Sequence, residues 1–394
     1  MSNSTHQVEV VSIVLEKHPN ADSLSIVNVF GGYTCVVRTA DWQAVAQGAY
    51  LPPDSVVDTS RPEFSFLKPK ADGTHRVKAI KLRKVVSYGL MVPAPEGSNL
   101  GDDVATQLGV THYEPPLPGV QSDNLITGGE TAKGPTVFTV KYDVDAFRKY
   151  HNLFTEGEPV WITEKIHGCS ARYVYSDGQI HCGSRNEWKK EYPSYDHITL
   201  EFLRQHVFKK DATATPEMPP AQFVRLVPSQ PPEFREVDET RVQEIFDRLH
   251  NKPKQRNLWW NALSATPCLE FWLINHPGAV VYGEVFGQVQ NLRYGATDNE
   301  PLMFAAFDIM LDGEFADPIA ARNLADQLPW VPILDKAVPY SFSCVVGHSD
   351  GPSKWRSANH YREGCVVKPM VERRDMHVGR VCFKCVGATY LEKD

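Results

Sequence analysis

Six charged residues stand inside or at the end of apolar, strand-like runs, where an unpaired charge is costly to bury. Lys165 ends VWITEK, and Glu284 lies in VVYGEVFGQVQNLRYG (280–295). Asp308 sits in MFAAFDIM (303–310), Glu363 and Lys368 bracket EGCVVKP (363–369), and Lys384 is central in VCFKCVG (381–387). Charge placed this way must be paired or bound to something. Several such runs in one domain predict a strand-lined cleft for a polar ligand.

The elements around Lys165 can be read at period two. Val160, Ile162 and Glu164 fall on one face and Trp161, Thr163 and Lys165 on the other, so Lys165 ends a strand. Gly168 allows a tight bend after His167. A second strand over Ser170–Tyr175 then meets Asp177-Gly178, a strong two-residue hairpin signal, and returns along 179–185. That register sets Ser170 opposite Arg185 and brings Arg185 beside the bend. A lysine and an arginine then share one cleft edge.

These runs, in this order, resemble the motif set of the covalent nucleotidyltransferase superfamily of polynucleotide ligases and mRNA capping enzymes, with Ser184-Arg185-Asn186 as a sixth motif. TEKIHG and GEVFGQVQNLRYG look most like the RNA ligase branch, and YDVDAFRKY fits the segment that leads into it. The resemblance covers 136–394. It implies an α+β domain of antiparallel sheets with flanking helices, ATP-grasp-like, and ATP and Mg²⁺ or Mn²⁺ as cofactors. By the same resemblance Lys165 is the nucleophile that forms a lysyl–AMP phosphoramidate. Glu164, Arg185, Glu284, Phe307, Lys368 and Lys384 would bind the nucleotide, with Phe307 stacked on adenine and Glu284 on the ribose. Glu284 and Glu363 would hold the metal through waters, and Lys384 would neutralise the α-phosphate. A free lysine near pKa ~10.4 is almost wholly protonated at neutral pH, so its pKa must fall by about 3 units. Burial, Arg185, Lys384 and a divalent metal are the expected sources.

The sequence departs from the family pattern at three places. Cys382 stands where a second phosphate-binding lysine is usual, with Arg380 a candidate replacement. His167 stands where many relatives carry Asp. Ser170 stands where Asn or Arg is frequent, and Arg172 should point elsewhere on its strand.

The first hundred residues are short strand-like runs separated by turn residues, which predicts a small β barrel. HPNADSLSIVNVFGG, GAYLPP and KLRKVVSYGLMVP resemble the OB-fold tRNA-binding module appended to some tRNA synthetases. That resemblance implies RNA contact, for which Lys78, Lys81 and Arg83 are candidates. They belong to a run with seven Lys or Arg between Lys68 and Lys84 against one acid, Asp72. The expected organisation is an all-β OB-fold domain over 1–112, a Pro/Gly-rich linker over 113–135, and the transferase domain over 136–394. An insertion near 205–255 carries an amphipathic helix over 236–251 and could act as a lid.

Composition sets the remaining bounds. A net charge of −7 over 394 residues excludes coating nucleic acid by bulk charge, so any such contact must be local. The eight cysteines support neither a disulfide framework nor a four-ligand zinc site. No apolar run has membrane-spanning length and the N-terminus lacks a signal-like core, so a cytoplasmic protein without a membrane partner is expected. No protein partner is expected either. An OB module before the transferase domain, with no room for one after Lys384, resembles RNA repair ligases that seal 3′-OH and 5′-phosphate ends in RNA or RNA-containing nicked duplexes. Two other readings stay open: an RNA-binding protein with a degenerate transferase domain, and a DNA-templated polynucleotide ligase.

Overall fold

The structure is a computed structural model and describes residues 6–113, 130–207, 223–224, 233–234, 236–251 and 255–393. In the N-terminal domain the strand Gln47–Leu51 is central, pairing antiparallel with Glu9–Ser12 and Leu90–Pro93. Leu24–Val29 lies between Leu15–Lys17 and Tyr33–Arg38, and Ser55–Asp58 between Thr74–Arg76 and Thr111–His112. A hairpin of Ile80–Leu82 and Val85–Ser87 completes the domain. Val10, Ala49, Leu51, Val57 and Phe64 form one core, and Val27, Val29, Trp42 and Tyr50 another. The expected barrel is thus modified. Among the described residues the hydrogen-bonded ladder stays as three three-stranded sheets and a hairpin rather than closing into one ring.

The C-terminal domain has two sheets. One runs 145–146, 383–386, 364–369, 159–165, 333–339, antiparallel except where Asp145–Ala146 pairs parallel with Phe383–Val386. The other runs 188–189, 179–184, 169–176, 280–287, 302–311, 314–315. The helices Leu258–Ser264 and Pro267–Asn275 cover the second sheet through Trp259, Leu263, Leu269 and Trp272. The helix Phe342–Ser349 covers the first through Val345. The sheets meet at the bend after Lys165.

The expected hairpin forms over Cys169–Ser176 and Gln179–Ser184. Asp177 and Gly178 both adopt positive φ, +55° and +77°, as a type I′ turn requires. The ladder pairs Ala171 with Ser184, which puts Ser170 and Arg185 at the next opposed positions. The amphipathic helix of the insertion spans Glu239–His250, capped by the Asp238 side chain accepting from Arg241 N. Val242 and Ile245 pack with Ile198, Leu203 and Val207 in a small separate core. Most of the expected linker and of the Pro-rich stretch of the insertion, 114–129, 208–222 and 225–232, lies outside the described residues.

The two domains share a core. Ala79 and Tyr88 of the first pack with Ile166, Phe286, Tyr294, Tyr390 and Leu391 of the second. Arg148, 7% exposed, donates to Gly32 O (3.2 Å) and Tyr88 Oη (3.3 Å), with its guanidinium 4.5 Å from the Tyr88 ring centroid. Lys149 Nζ reaches Glu9 Oε2 at 2.6 Å. Ile166 follows Lys165, so the seam touches the bend that carries it.

Candidate active site

A cleft of about 420 Å³ lies between the sheets and is closed on one side by the N-terminal domain. Lys165 enters it from the end of Pro159–Lys165, whose ladder pairs Lys165 with Gly364. The preceding residue on the partner strand's side is Glu363, and Lys165 Nζ lies 2.7 Å from Glu363 Oε1. Lys384 sits one strand further, opposite Val366. Glu284 comes from the other sheet, opposite Ser170 and Ala305. The sheets approach this closely because residue 168 is glycine: a Cβ there would stand 2.3 Å from Val285 O and 3.0 Å from Glu284 Cγ. Two carboxylates and two ammonium groups from both sheets converge.

Burial and mutual charge tune these groups. Burial pushes the Glu284 carboxyl up to about 8, with Glu363 adding repulsion and Lys165 only partly offsetting both. Burial acts the same way on Glu363, but Lys165 and His167 overcome it and hold that carboxyl at about 2. For Lys165, burial lowers the pKa, yet Glu363 and Glu284 outweigh it and the net direction is upward. Burial and Lys165 lower Lys384. Arg185 and Lys384 therefore do not by themselves lower Lys165 against these carboxylates. Its carboxylate neighbours win because Glu363 is in direct contact.

That balance fits a cation. Glu284 is a half-buried carboxyl with no close ion pair among the described residues, and it lines the same cleft as Glu363. Among the described residues no three His, Cys, Asp or Glu side chains are grouped to ligate a metal directly. The donor set therefore suits a hard divalent ion that keeps its waters, held by Glu284 and Glu363.

His167 is buried against this pair. Its Nδ1 lies 3.2 Å from Glu363 Oε2 and 3.3 Å from Tyr390 Oη, and its backbone N–H donates to Tyr294 Oη at 2.8 Å. Arg185 lines the cleft, 3.7 Å from Asp143 Oδ1. Phe307 also lines it, its ring 4.6 Å from that of Tyr142.

Several candidate residues are placed differently from expectation. Glu164, on the opposite face of the strand from Lys165, accepts from Ser353 Oγ and Lys354 N, both at 2.6 Å, so its carboxylate ties the strand to the 353–361 loop. Lys368 lines the cleft, but its Nζ lies 2.6 Å from Asp308 Oδ1 and donates to Phe307 O, so its charge is already paired. Arg380 pairs with Asp308 and Glu372, so it does not stand in for a lysine at position 382. The Cys382 thiol lies 3.7 Å from Tyr142 Oη. Arg172 points away as expected, its guanidinium 4.3 Å from the Trp188 ring centroid. Lys78, Lys81 and Arg83 are not among the cleft-lining residues, and Lys81 Nζ lies 3.9 Å from Glu392 at the domain seam.

The cleft also holds residues that strand patterning missed. Asp54, Arg76, His112 and Tyr113 bring the N-terminal domain to its edge. Arg76 Nη2 is 2.7 Å from Asp54 Oδ1 and its guanidinium 3.8 Å from the Tyr113 ring centroid. The signal for Arg76 was present in the basic run, but nothing local separated it from its exposed neighbours. Trp259, whose Nε1 donates to Ser170 O at 3.0 Å, also lines the cleft.

Comparison with known proteins places this architecture. Residues 239–386 match the RNA ligase family model, a stretch that includes Glu284, Phe307, Glu363 and Lys384, and residues 6–94 match an OB-fold domain model. The fold is similar along nearly its whole length to variants of an RNA ligase of Naegleria gruberi. One aligns with a TM-score of 0.65 at 21% identity, covering 98% of this chain and 99% of that one. Another aligns with a TM-score of 0.67 at 20% identity, covering 98% of each. A cytochrome P450 monooxygenase of Aspergillus flavus is 27% identical over 124 residues, 28% of this chain. The chain spans about a quarter of that relative, 23%, and a match of that extent carries no argument about activity. Residues 6–94 thus resemble an OB-fold domain and residues 239–386 the RNA ligase family, each match covering less than half of the chain.

Proposed function

We propose that the chain is an ATP-dependent RNA ligase that joins 3′-OH and 5′-phosphate ends, at nicks whose 3′-OH strand is RNA, through a covalent lysyl–AMP at Lys165. The observation that carries this reading is the convergence of Lys165, Glu363, Glu284 and Lys384 on one cleft beside Phe307. Support also comes from the Naegleria ligase structures, which are described with ATP and Mn, with AMP and Mn, and with PPi.

In the first step the Lys165 amine attacks the α-phosphorus of ATP. A phosphoramidate N–P bond forms, the bond to the bridging oxygen breaks, and pyrophosphate leaves with the electron pair. The amine must first lose the proton that Glu363 stabilises. Glu284 and Glu363 would hold a divalent cation, whose charge would offset theirs and so weaken the force that keeps that proton. Lys384, already lowered in pKa, stands where a cation can offset charge building on the α-phosphoryl oxygens. Glu284 would take the ribose hydroxyls, and Phe307 with Tyr142 would receive the adenine face. His167 orients Glu363 through its Nδ1 contact.

AMP then passes to the 5′-phosphate of the nick, forming an RNA-adenylate with a pyrophosphate linkage. The 3′-OH attacks that 5′-phosphorus, the phosphodiester forms, and AMP leaves. The OB-fold wall of Arg76, His112 and Tyr113 places cationic and aromatic groups over the same cleft, so this domain takes part in the nucleotide step as well as the later two.

The test is sealing of a nicked duplex with 3′-ribose or 3′-deoxyribose at the break. Sealing that needs the ribose supports RNA repair, because the 2′-OH is what separates the two polymers at one site. Equal sealing of an all-DNA nick points to the DNA-templated reading. Cys382, turned toward Tyr142, favours a degenerate transferase that binds RNA without chemistry. That reading requires no sealing of either nick.

A further inference from the structure

Three segments far apart in the sequence meet on one face beside the Lys165 bend, and none contains an acid. They are 78–87 in the OB-fold hairpin, 288–297 after the Glu284 strand, and 351–362 before Glu363. Forty-eight Asp and Glu residues in the whole chain would put about four in segments of this length, if evenly spread. Six of their basic residues are exposed: Lys81, Arg83, Lys84, Arg293, Lys354 and Arg356.

Contacts link the segments in sequence. Lys81 of the hairpin lies 3.9 Å from Glu392 of the C-terminal helix Ala388–Lys393. Lys393 of that helix is 4.6 Å from the Tyr361 ring centroid. Ser357 Oγ donates to Tyr294 O at 2.7 Å, and a Cβ on Gly295 would stand 2.5 Å from Ser357 O, so the second and third segments pack directly. The belt is also tied to the catalytic strand. Tyr294 Oη accepts from His167 N, and Lys354 N donates to Glu164.

We propose that this belt of three acid-free segments, joined across the C-terminal helix at the Lys81–Glu392 pair, is the track for the sugar–phosphate backbone of an RNA duplex beside the nick. The proposal rests on the RNA ligase reading and adds Arg293, Lys354 and Arg356 to the candidates on the hairpin. Charge complementarity selects the occupant: a protein of net charge −7 can hold a polyanion only where cations locally outnumber acids, as six exposed cations do here beside Glu392. Rigid ties to His167 and Glu164 explain why it lies here. A duplex seated on the belt is held in register with Lys165, which sits between those two residues in the chain.

The test is binding of the full-length Arg293→Ala/Lys354→Ala/Arg356→Ala variant to a nicked RNA duplex without ATP, across a range of salt concentrations. Each lost phosphate contact removes about 0.7–0.9 from the slope of log affinity against log salt. The slope should therefore fall by about 2–3, with affinity weakened about tenfold or more at low salt. Lysyl–AMP formation by the variant should match wild type. A control with Arg38, Lys336 and Arg374, also exposed, each changed to Ala should keep the wild-type slope. An unchanged slope in the belt variant, or an equal fall in the control, overturns the track. Wild type that binds the duplex with this slope but never forms lysyl–AMP would overturn the ligase reading while leaving the track standing.

Discussion

Lys165 Nζ and Glu363 Oε1 are 2.7 Å apart, so the proposed nucleophile is paired with the carboxylate that would help hold the metal. The contact favours the protonated amine. Glu363→Gln should have opposite effects on two readouts. With the negative charge gone, burial dominates and the Lys165 pKa falls, so an acylating reagent at pH 8 should label the amine faster. Lysyl–AMP formation should instead fall about 10²-fold or more, because the metal and transition-state charge lose a partner. Parallel losses in both would show that the carboxylate only supports the fold.

Gly168 permits the approach of the two sheets. In Gly168→Ala the new methyl would collide with Val285 O at 2.3 Å, a backbone atom that cannot step aside cheaply. A stability loss of about 1–3 kcal/mol is expected, measured as a lowered denaturant midpoint. Adenylylation should fall with it, because Glu284 and Lys165 move apart.

The Asp308 carboxylate is buried between Lys368 and Arg380 and also accepts from the Tyr142 hydroxyl. Burial would raise its pKa, but the two cations hold it at about 2, below its ordinary 3.8. A depressed carboxylate contributes stability that is present above its unfolded pKa and lost as pH falls toward its folded one. Between pH 4 and 2 the protein should lose on the order of 2 kcal/mol through this group. Asp308→Asn should remove that acid-dependent component and cost about 3–5 kcal/mol at neutral pH, because two buried cations lose their partner. Denaturant unfolding measured across pH for both proteins checks both numbers.

The fold and site were legible where local rules govern. Alternation placed Lys165 at a strand end, and Asp177-Gly178 set the hairpin register that brings Ser170 opposite Arg185. Buried charge in apolar strands identified Glu284, Glu363 and Lys384 as facing one cleft. Partner choice was not legible, because it depends on which distant segment packs against each side chain. Glu164 obeys the alternation, so although the residue lines the cleft its carboxylate turns toward a loop nearly two hundred residues later. Lys368 is neutralised by Asp308 on the other sheet, and Arg76 leaves the exposed basic run to pair with Asp54. None of those partners is near in sequence. The closure of the cleft by the OB-fold domain was hidden for the same reason.

Arg148 fastens the two domains. Its side chain reaches Gly32 and Tyr88, and a Cβ on Gly32 would stand 2.1 Å from Arg148 O. Arg148→Ala should cost about 2–4 kcal/mol through hydrogen bonds lost from a buried charged group. Thermal unfolding should split into two transitions where wild type shows one. A single transition at the wild-type temperature would show that the apolar seam of Ala79, Tyr88, Ile166 and Leu391 suffices alone.

The most direct test is incubation with α-labelled ATP and Mg²⁺ or Mn²⁺, followed by a denaturing gel, for wild type and Lys165→Ala. Label on wild type that is stable to denaturation and missing from the folded variant is the predicted result. Equal label on both proteins, or no label on folded wild type already freed of AMP, would contradict lysyl–AMP formation at Lys165.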